Sequence, residues 1–268
     1  MREFFGFGGY ERAAEGFLSW QHLAFVGTLL TAMVVLAVVL GKANKHKDLK
    51  EKNKVIILSA LLIDIIEIFK IVIFCIRSQS VESILYDLPL FLCSIQLIAL
   101  PLAAFSGGRI KEAALDFVCI FGILGAVFGT IGAGQNYAAY PVMSIDNVVS
   151  GITHSISGFA SLYILFAKMA SMRRKNIWVT ICILSVFCVA AYIVNVIIDY
   201  NYMFLMAGDG TPYDIVYNLV GGNKILYPLL VVALFYLYIG IYYYLFYLFK
   251  KKNNVNILEI IEKEEATL

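Results

Sequence analysis

Cys93 and His154 are the two side chains of this 268-residue chain whose types and positions could carry covalent chemistry. A thiol becomes a nucleophile once a neighbouring base takes its proton, and imidazole is the side chain suited to take it near neutral pH. Cys93 lies in Leu88-Pro-Leu-Phe-Leu-Cys-Ser-Ile-Gln96, an apolar stretch that adds Ser94 and Gln96 to the thiol. His154 stands among Asn147, Ser150, Gly151, Ser157, Gly158 and Ser161 at offsets of −7, −4, −3, +3, +4 and +7. Those offsets share one face of a helix, so the histidine is centred on a polar, small-residue stripe of the kind that lines a cavity. The plainer reading of each is structural: a cysteine in an apolar run serves as a small hydrophobe, and a lone histidine as a hydrogen-bonded packing residue.

Further ionisable and amide groups fall inside apolar runs. Asp64, Glu67 and Lys70 are spaced three apart, so Lys70 can neutralise Glu67 on one broad helix face. Within a membrane such groups are costly unless paired or wet, which makes each a functional candidate; an ion-paired strut is the alternative. Gln96 or Asn195 could donate to an oxyanion, Glu67 or Asp64 could orient the histidine, and His22 and Asn147 complete the expected pocket lining.

The elements that must position these groups are membrane spans. The composition is 61% hydrophobic and only 15% charged, with a mean hydropathy of +0.82. A soluble domain carries about 25% charged residues. The net charge of +2 gives no reason to expect nucleic acid as a partner. Apolar runs predict spans at 20–40, 55–76, 84–105, 113–133, 147–169, 177–199 and 226–249, each near the ~20 residues needed to cross hydrocarbon. The 41–54 loop holds six lysines, and further basic clusters lie at Arg109 and Lys111, Lys168 to Lys175, and Lys250 to Lys252. These fall in alternate loops, so they share one side, which the positive-inside rule makes cytoplasmic. The expected fold is thus all-α: a polytopic membrane protein, a seven-transmembrane-helix bundle over 1–252 with the N-terminus outside. A charged cytoplasmic tail over 253–268 follows. Residues 1–20 lack the pattern of a cleavable signal.

Counting 1.5 Å per residue from the expected outer boundary puts Cys93 ~14 Å deep and His154 ~10 Å deep, with Lys70 and Glu67 at similar levels. The polar groups therefore predict one pocket in the outer half of the bilayer. The long 199–212 loop is expected to cap it. Gly122, Gly125, Ala126, Gly129 and Gly132 make a small-residue stripe on the fourth span, which reads as helix packing. The five cysteines (75, 93, 119, 182, 188) show neither a metal-type spacing nor a disulfide framework, and no metal or cofactor is expected.

Several segments together resemble the YwaF family of bacterial integral membrane proteins, relatives of the eukaryotic transmembrane protein 164. They are Phe17-Leu-Ser-Trp-Gln-His-Leu23, Leu88-Pro-Leu-Phe-Leu-Cys93, the His154 helix, and Asn201-Tyr-Met-Phe-Leu205 with Pro212 downstream. The resemblance implies a six- or seven-helix bundle. Its eukaryotic member implies a lipid acyltransferase with a cysteine nucleophile and a histidine, which here makes Cys93 the acyl acceptor and His154 its base.

The expected function is acyl transfer on a membrane lipid or lipid-linked acyl chain, in a multi-pass protein of the cell membrane. The alternative is a proton- or cation-coupled transporter or small-molecule binder using Asp64, Glu67 and Lys70. A third is a subunit whose polar face contacts another membrane protein. Oligomeric state is not legible.

Overall fold

The computed structural model describes residues 2–265, with side chains through residue 250. Among the described residues there are helices and no strands. Seven helices carry the architecture: α1 (Trp20–Asn44), α2 (Leu49–Ser78), α3 (Gln96–Phe105), α4 (Gly108–Thr130), α5 (Ile145–Phe166), α6 (Arg174–Ile198) and α7 (Leu226–Glu265). Short helices at Arg2–Phe5, Gly134–Ala139 and Tyr213–Leu219 belong to the connections. The expected charged tail at 253–268 lies outside the residues whose side chains are described.

Among the described residues, five helices are long and apolar enough to cross a membrane: Trp20–Asn44, Gly108–Ala139, Ile145–Phe166, Arg174–Ile198 and Leu226–Lys250. The 30-residue α2 spans ~45 Å and has the length, but Asp64, Glu67 and Lys70 interrupt its apolar surface. Large apolar side chains cover the outside of the bundle, among them Val186, Val189, Ile193 and Val196 on α6. A water-facing surface would not carry so large an apolar patch.

The expected third span is not one helix. Residues 84–105 instead comprise the end of a 3-10 turn (Val81–Tyr86), an irregular stretch over 87–95, and the ten-residue α3, which continues through Pro101. Pro89 therefore precedes the helix rather than occupying its first turns. Its ring leaves no N–H and biases Leu88 towards extended backbone. Ser94 reinforces the break: its Oγ accepts from the Phe91 N–H at 2.9 Å and donates to the Phe91 carbonyl at 3.0 Å. Such side-chain bonds compete with a helical ladder.

Caps define the other starts. Ser19, Asp48 and Ser144 each accept a backbone N–H from the first turn of α1, α2 and α5. α4 is the centre of the bundle, with every residue from Ala113 to Gly122 buried. It packs most closely on α5, which also lies along α1. The α1–α5 pair is parallel: Gly151 faces Phe25 and Leu29, Gly158 faces Met33, and Gly41 faces Phe166.

Candidate active site

Cys93 and His154 are brought together by the glycine face of α4. A Cβ at Gly125 would lie 3.3 Å from the Cβ of Cys93, and a Cβ at Gly129, one turn on, would overlap the His154 ring. The stripe that reads as packing is thus what lets the irregular 87–95 stretch and α5 close on each other. Thiol and imidazole thus lie against neighbouring turns of one helix face.

The tautomer follows from the second nitrogen. His154 Nδ1 is 2.7 Å from the Ser150 carbonyl oxygen, which can only accept, so Nδ1 carries the proton. Nε2 is left with its lone pair, as a base requires. Close to the sulfur, the Cys93 and Ser94 N–H groups belong to the irregular stretch before α3 and donate to no backbone carbonyl among the described residues. Neither residue is among the fully buried ones.

Lys70 bridges Glu67 at 2.5 Å and Asp87 at 3.0 Å, which joins α2 to the start of the irregular stretch. The buried Glu67 carboxylate is held in this bridge. It does not orient the ring by a hydrogen bond, because the Ser150 carbonyl does. Asp64 is half-buried and in no ion pair or side-chain hydrogen bond among the described residues. Gln96 is fully buried, and neither polar atom of its amide has a partner among the described residues.

Asn195 is not free to assist. Its Nδ2 donates to the Tyr202 carbonyl at 3.0 Å and its Oδ1 accepts the Tyr202 N–H at 2.7 Å. Tyr202 in turn closes the broken segment: its hydroxyl accepts the Leu88 N–H at 3.1 Å and donates to the Leu85 carbonyl at 2.6 Å. Phe91 packs on the Tyr202 ring with centroids 4.9 Å apart. The start of the expected cap is therefore a buried clamp, with Tyr202, Met203 and Leu205 almost wholly enclosed. Asp199, Met203 and Phe204 hold positive φ there, a cost that only a firmly packed loop sustains.

His22 and Asn147 form a separate cluster. His22 Nδ1 accepts the Leu18 N–H at 3.1 Å, and its ring lies on Tyr137 with centroids 4.0 Å apart. Asn147 donates to the Tyr140 and Pro141 carbonyls at 3.1 and 3.0 Å. Both sit at the first turn of their helices and not beside the thiol.

The expectation that polar groups gather in one half of the bilayer is corrected by the opposite end of the bundle. There the fully buried Asp116 accepts from the Ser171 and Met172 N–H groups, Asn176 Nδ2 and the Tyr243 hydroxyl, at 2.9 to 3.2 Å. Asn44 donates to the Tyr163 hydroxyl at 3.1 Å nearby. Asp116 is an acid inside an apolar run, a signal that the intramembrane-charge argument could have used. Another group lies at the helix ends: Arg77 grips Asp146 with two bonds of 2.8 Å, and the Tyr10 hydroxyl also donates to Asp146. Burial, then that bond, raises the Tyr10 pKa. Charges at span ends read as loop residues, and nothing local in the sequence pairs them.

Among the described residues no cluster of three or more His, Cys, Asp or Glu side chains is arranged to hold a metal. The fold and its apolar exterior define a multi-pass α-helical membrane protein with a thiol–imidazole pair at an interrupted segment. Residues 17–243 match the model of the TMEM164 family, and the chain belongs to that family. Neither curated proteins nor solved structures yield a match.

Proposed function

We propose that this protein is a membrane-embedded acyl-transfer enzyme that acts on lipid or lipid-linked acyl chains through Cys93 and His154. The observation that carries the reading is the convergence of the two on one glycine face: Cys93 meets Gly125, the His154 ring meets Gly129 one turn on, and the ring's Nδ1 is committed to the Ser150 carbonyl. His154 Nε2 takes the thiol proton, and the Cys93 and Ser94 N–H groups stabilise the thiolate. The sulfur adds to an acyl carbonyl; collapse breaks the bond to the donor oxygen, which leaves with the proton held on Nε2. An acceptor hydroxyl reverses the sequence, giving its proton to His154 and taking the acyl group from sulfur. In this reading seven segments cross the cell membrane, α2 and the broken third segment included, with the N-terminus outside and the C-terminus cytoplasmic.

Intact-protein mass spectrometry after incubation with an acyl donor is expected to find one acyl thioester, sensitive to hydroxylamine, in the wild type and none in Cys93→Ala. Equal lipid turnover by Cys93→Ala would end the proposal. A coupled transporter is the second reading, favoured by Asp64, the acid of the α2 line without an ion-pair partner among the described residues. Uptake into proteoliposomes lost in Asp64→Asn but kept in Cys93→Ala would select it.

A further inference from the structure

Gln96 is wholly enclosed with both amide atoms unpartnered among the described residues, and Ser157, 3% exposed, has an Oγ without a partner there. Leaving such groups unpaired is costly, and native folds leave few. Two independent relations of register put them together. The Gln96 N–H donates to the Cys93 carbonyl at 3.3 Å, an i→i+3 turn that sets the two side chains on one side. Ser157 likewise follows His154 by three residues on α5, on the same face.

The glycine face of α4 supplies the second relation. Gly125 meets Cys93, while a Cβ at Gly122, one turn earlier, would lie 2.6 Å from the Ser157 carbonyl. The short link between α3 and α4 makes them antiparallel, so the turn from Cys93 to Gln96 descends from the level of Gly125 towards that of Gly122. Cys93 and His154 meet this face at Gly125 and Gly129, and Ser157 runs along it between Ala126, which its neighbour Gly158 touches, and Gly122. Cys93 and His154 can exchange a proton. Gln96, one turn on from Cys93, and Ser157 are neutral and offer hydrogen-bond donors.

We infer that Gln96 and Ser157 are the oxyanion-binding residues of this site. The Gln96 amide N–H and the Ser157 hydroxyl donate to the acyl oxygen as the Cys93 sulfur bonds to its carbon and the carbonyl π pair moves onto that oxygen. The inference rests on the acyl-transfer reading. Donors aimed at a charge that exists only during reaction have no acceptor in the resting protein, which is the condition of both side chains. A neutral pair also fits a carbonyl better than a carboxylate or phosphate, which would call for a cation. Asn195, the other amide weighed for this role, is committed to Tyr202.

The test compares two reactions of the same sulfur in the detergent-solubilised full chain. Acylation by p-nitrophenyl decanoate passes through an oxyanion; alkylation by iodoacetamide does not. Gln96→Met, close to isosteric, and Ser157→Ala are each expected to slow acylation of Cys93 by about 10²-fold. Alkylation should change by less than about twofold, because no oxyanion develops. Acylation at the wild-type rate in both variants overturns the assignment, as does an equal fall in both reactions, which would mean that the pair only shapes the thiol. A wild-type Cys93 that alkylates but never acylates sinks the acyl-transfer reading instead. If Gln96→Met does not fold, Ser157→Ala gives the same decision.

Discussion

At the scale of single residues, the site depends on one proton being in one place. The Ser150 carbonyl holds the Nδ1 proton of His154, so the same ring cannot offer a second donor on Nε2 while neutral. Replacing the ring by an amide of similar reach removes the base and keeps much of the packing. His154→Gln is therefore expected to lower Cys93 acylation by about 10²-fold or more, the usual contribution of a general base. Chromatographic behaviour in detergent should stay that of the wild type. An acylation rate within the error of wild type would remove His154 from the chemistry and leave it a packing residue. Glu67 enters more weakly. Its charge is shared with Lys70, which is itself shared with Asp87, so its pull on the imidazolium is a residual field and not a bond.

At the scale of elements, the third segment is broken so that Cys93 stands in an irregular turn, three residues before α3, instead of in the middle of a helix. Non-helical backbone at membrane depth persists only where its polar groups find partners, and Tyr202 is that partner for Leu85 and Leu88. Tyr202→Phe should cost about 1–3 kcal/mol, the penalty for leaving those groups unpaired. The loss should appear as a lower unfolding midpoint and as faster hydrogen exchange confined to residues 85–95. Exchange unchanged in that stretch would mean that the clamp is incidental. Gly129→Ala tests the glycine face: its methyl group must displace the His154 ring, an overpacking cost of about 1–3 kcal/mol, and thioester formation should disappear while Cys93 remains alkylatable. Six of the seven predicted spans coincide with observed helices, five of them single apolar runs and the sixth, α2, apolar apart from Asp64, Glu67 and Lys70. The third was missed as a path, since hydropathy records how apolar a stretch is and not whether its backbone is helical. Pro89 and Ser94 were the local signs of the break. The Tyr202 bond to Leu88, 114 residues away in sequence, had no local sign.

At the scale of the whole molecule, the basic clusters and the Cys93–His154 site occupy opposite ends. Arg109 donates to the Lys175 carbonyl at 3.0 Å, Lys111 reaches Asn53 at 2.7 Å, and Asn53 reaches the Ala104 carbonyl at 2.8 Å. These contacts gather the connections after α1, α3 and α5 at one end, and the basic clusters of the sequence lie in them. Asp116 and its donors tie the same end to α7. The 79–95 stretch, the start of α5 and the 199–212 loop make the other end, to which the thiol is nearer. If the positive-inside rule applies to this bundle, the basic end faces the cytoplasm and the reactive pair is reached from the outer leaflet. In intact cells, a cysteine-free background carrying Gly210→Cys should react with a membrane-impermeant maleimide without permeabilisation. Lys47→Cys in the same background should react only after it. The reverse pattern would turn the bundle over and place Cys93 under the inner leaflet, so that its acyl donor would have to come from the cytoplasmic side.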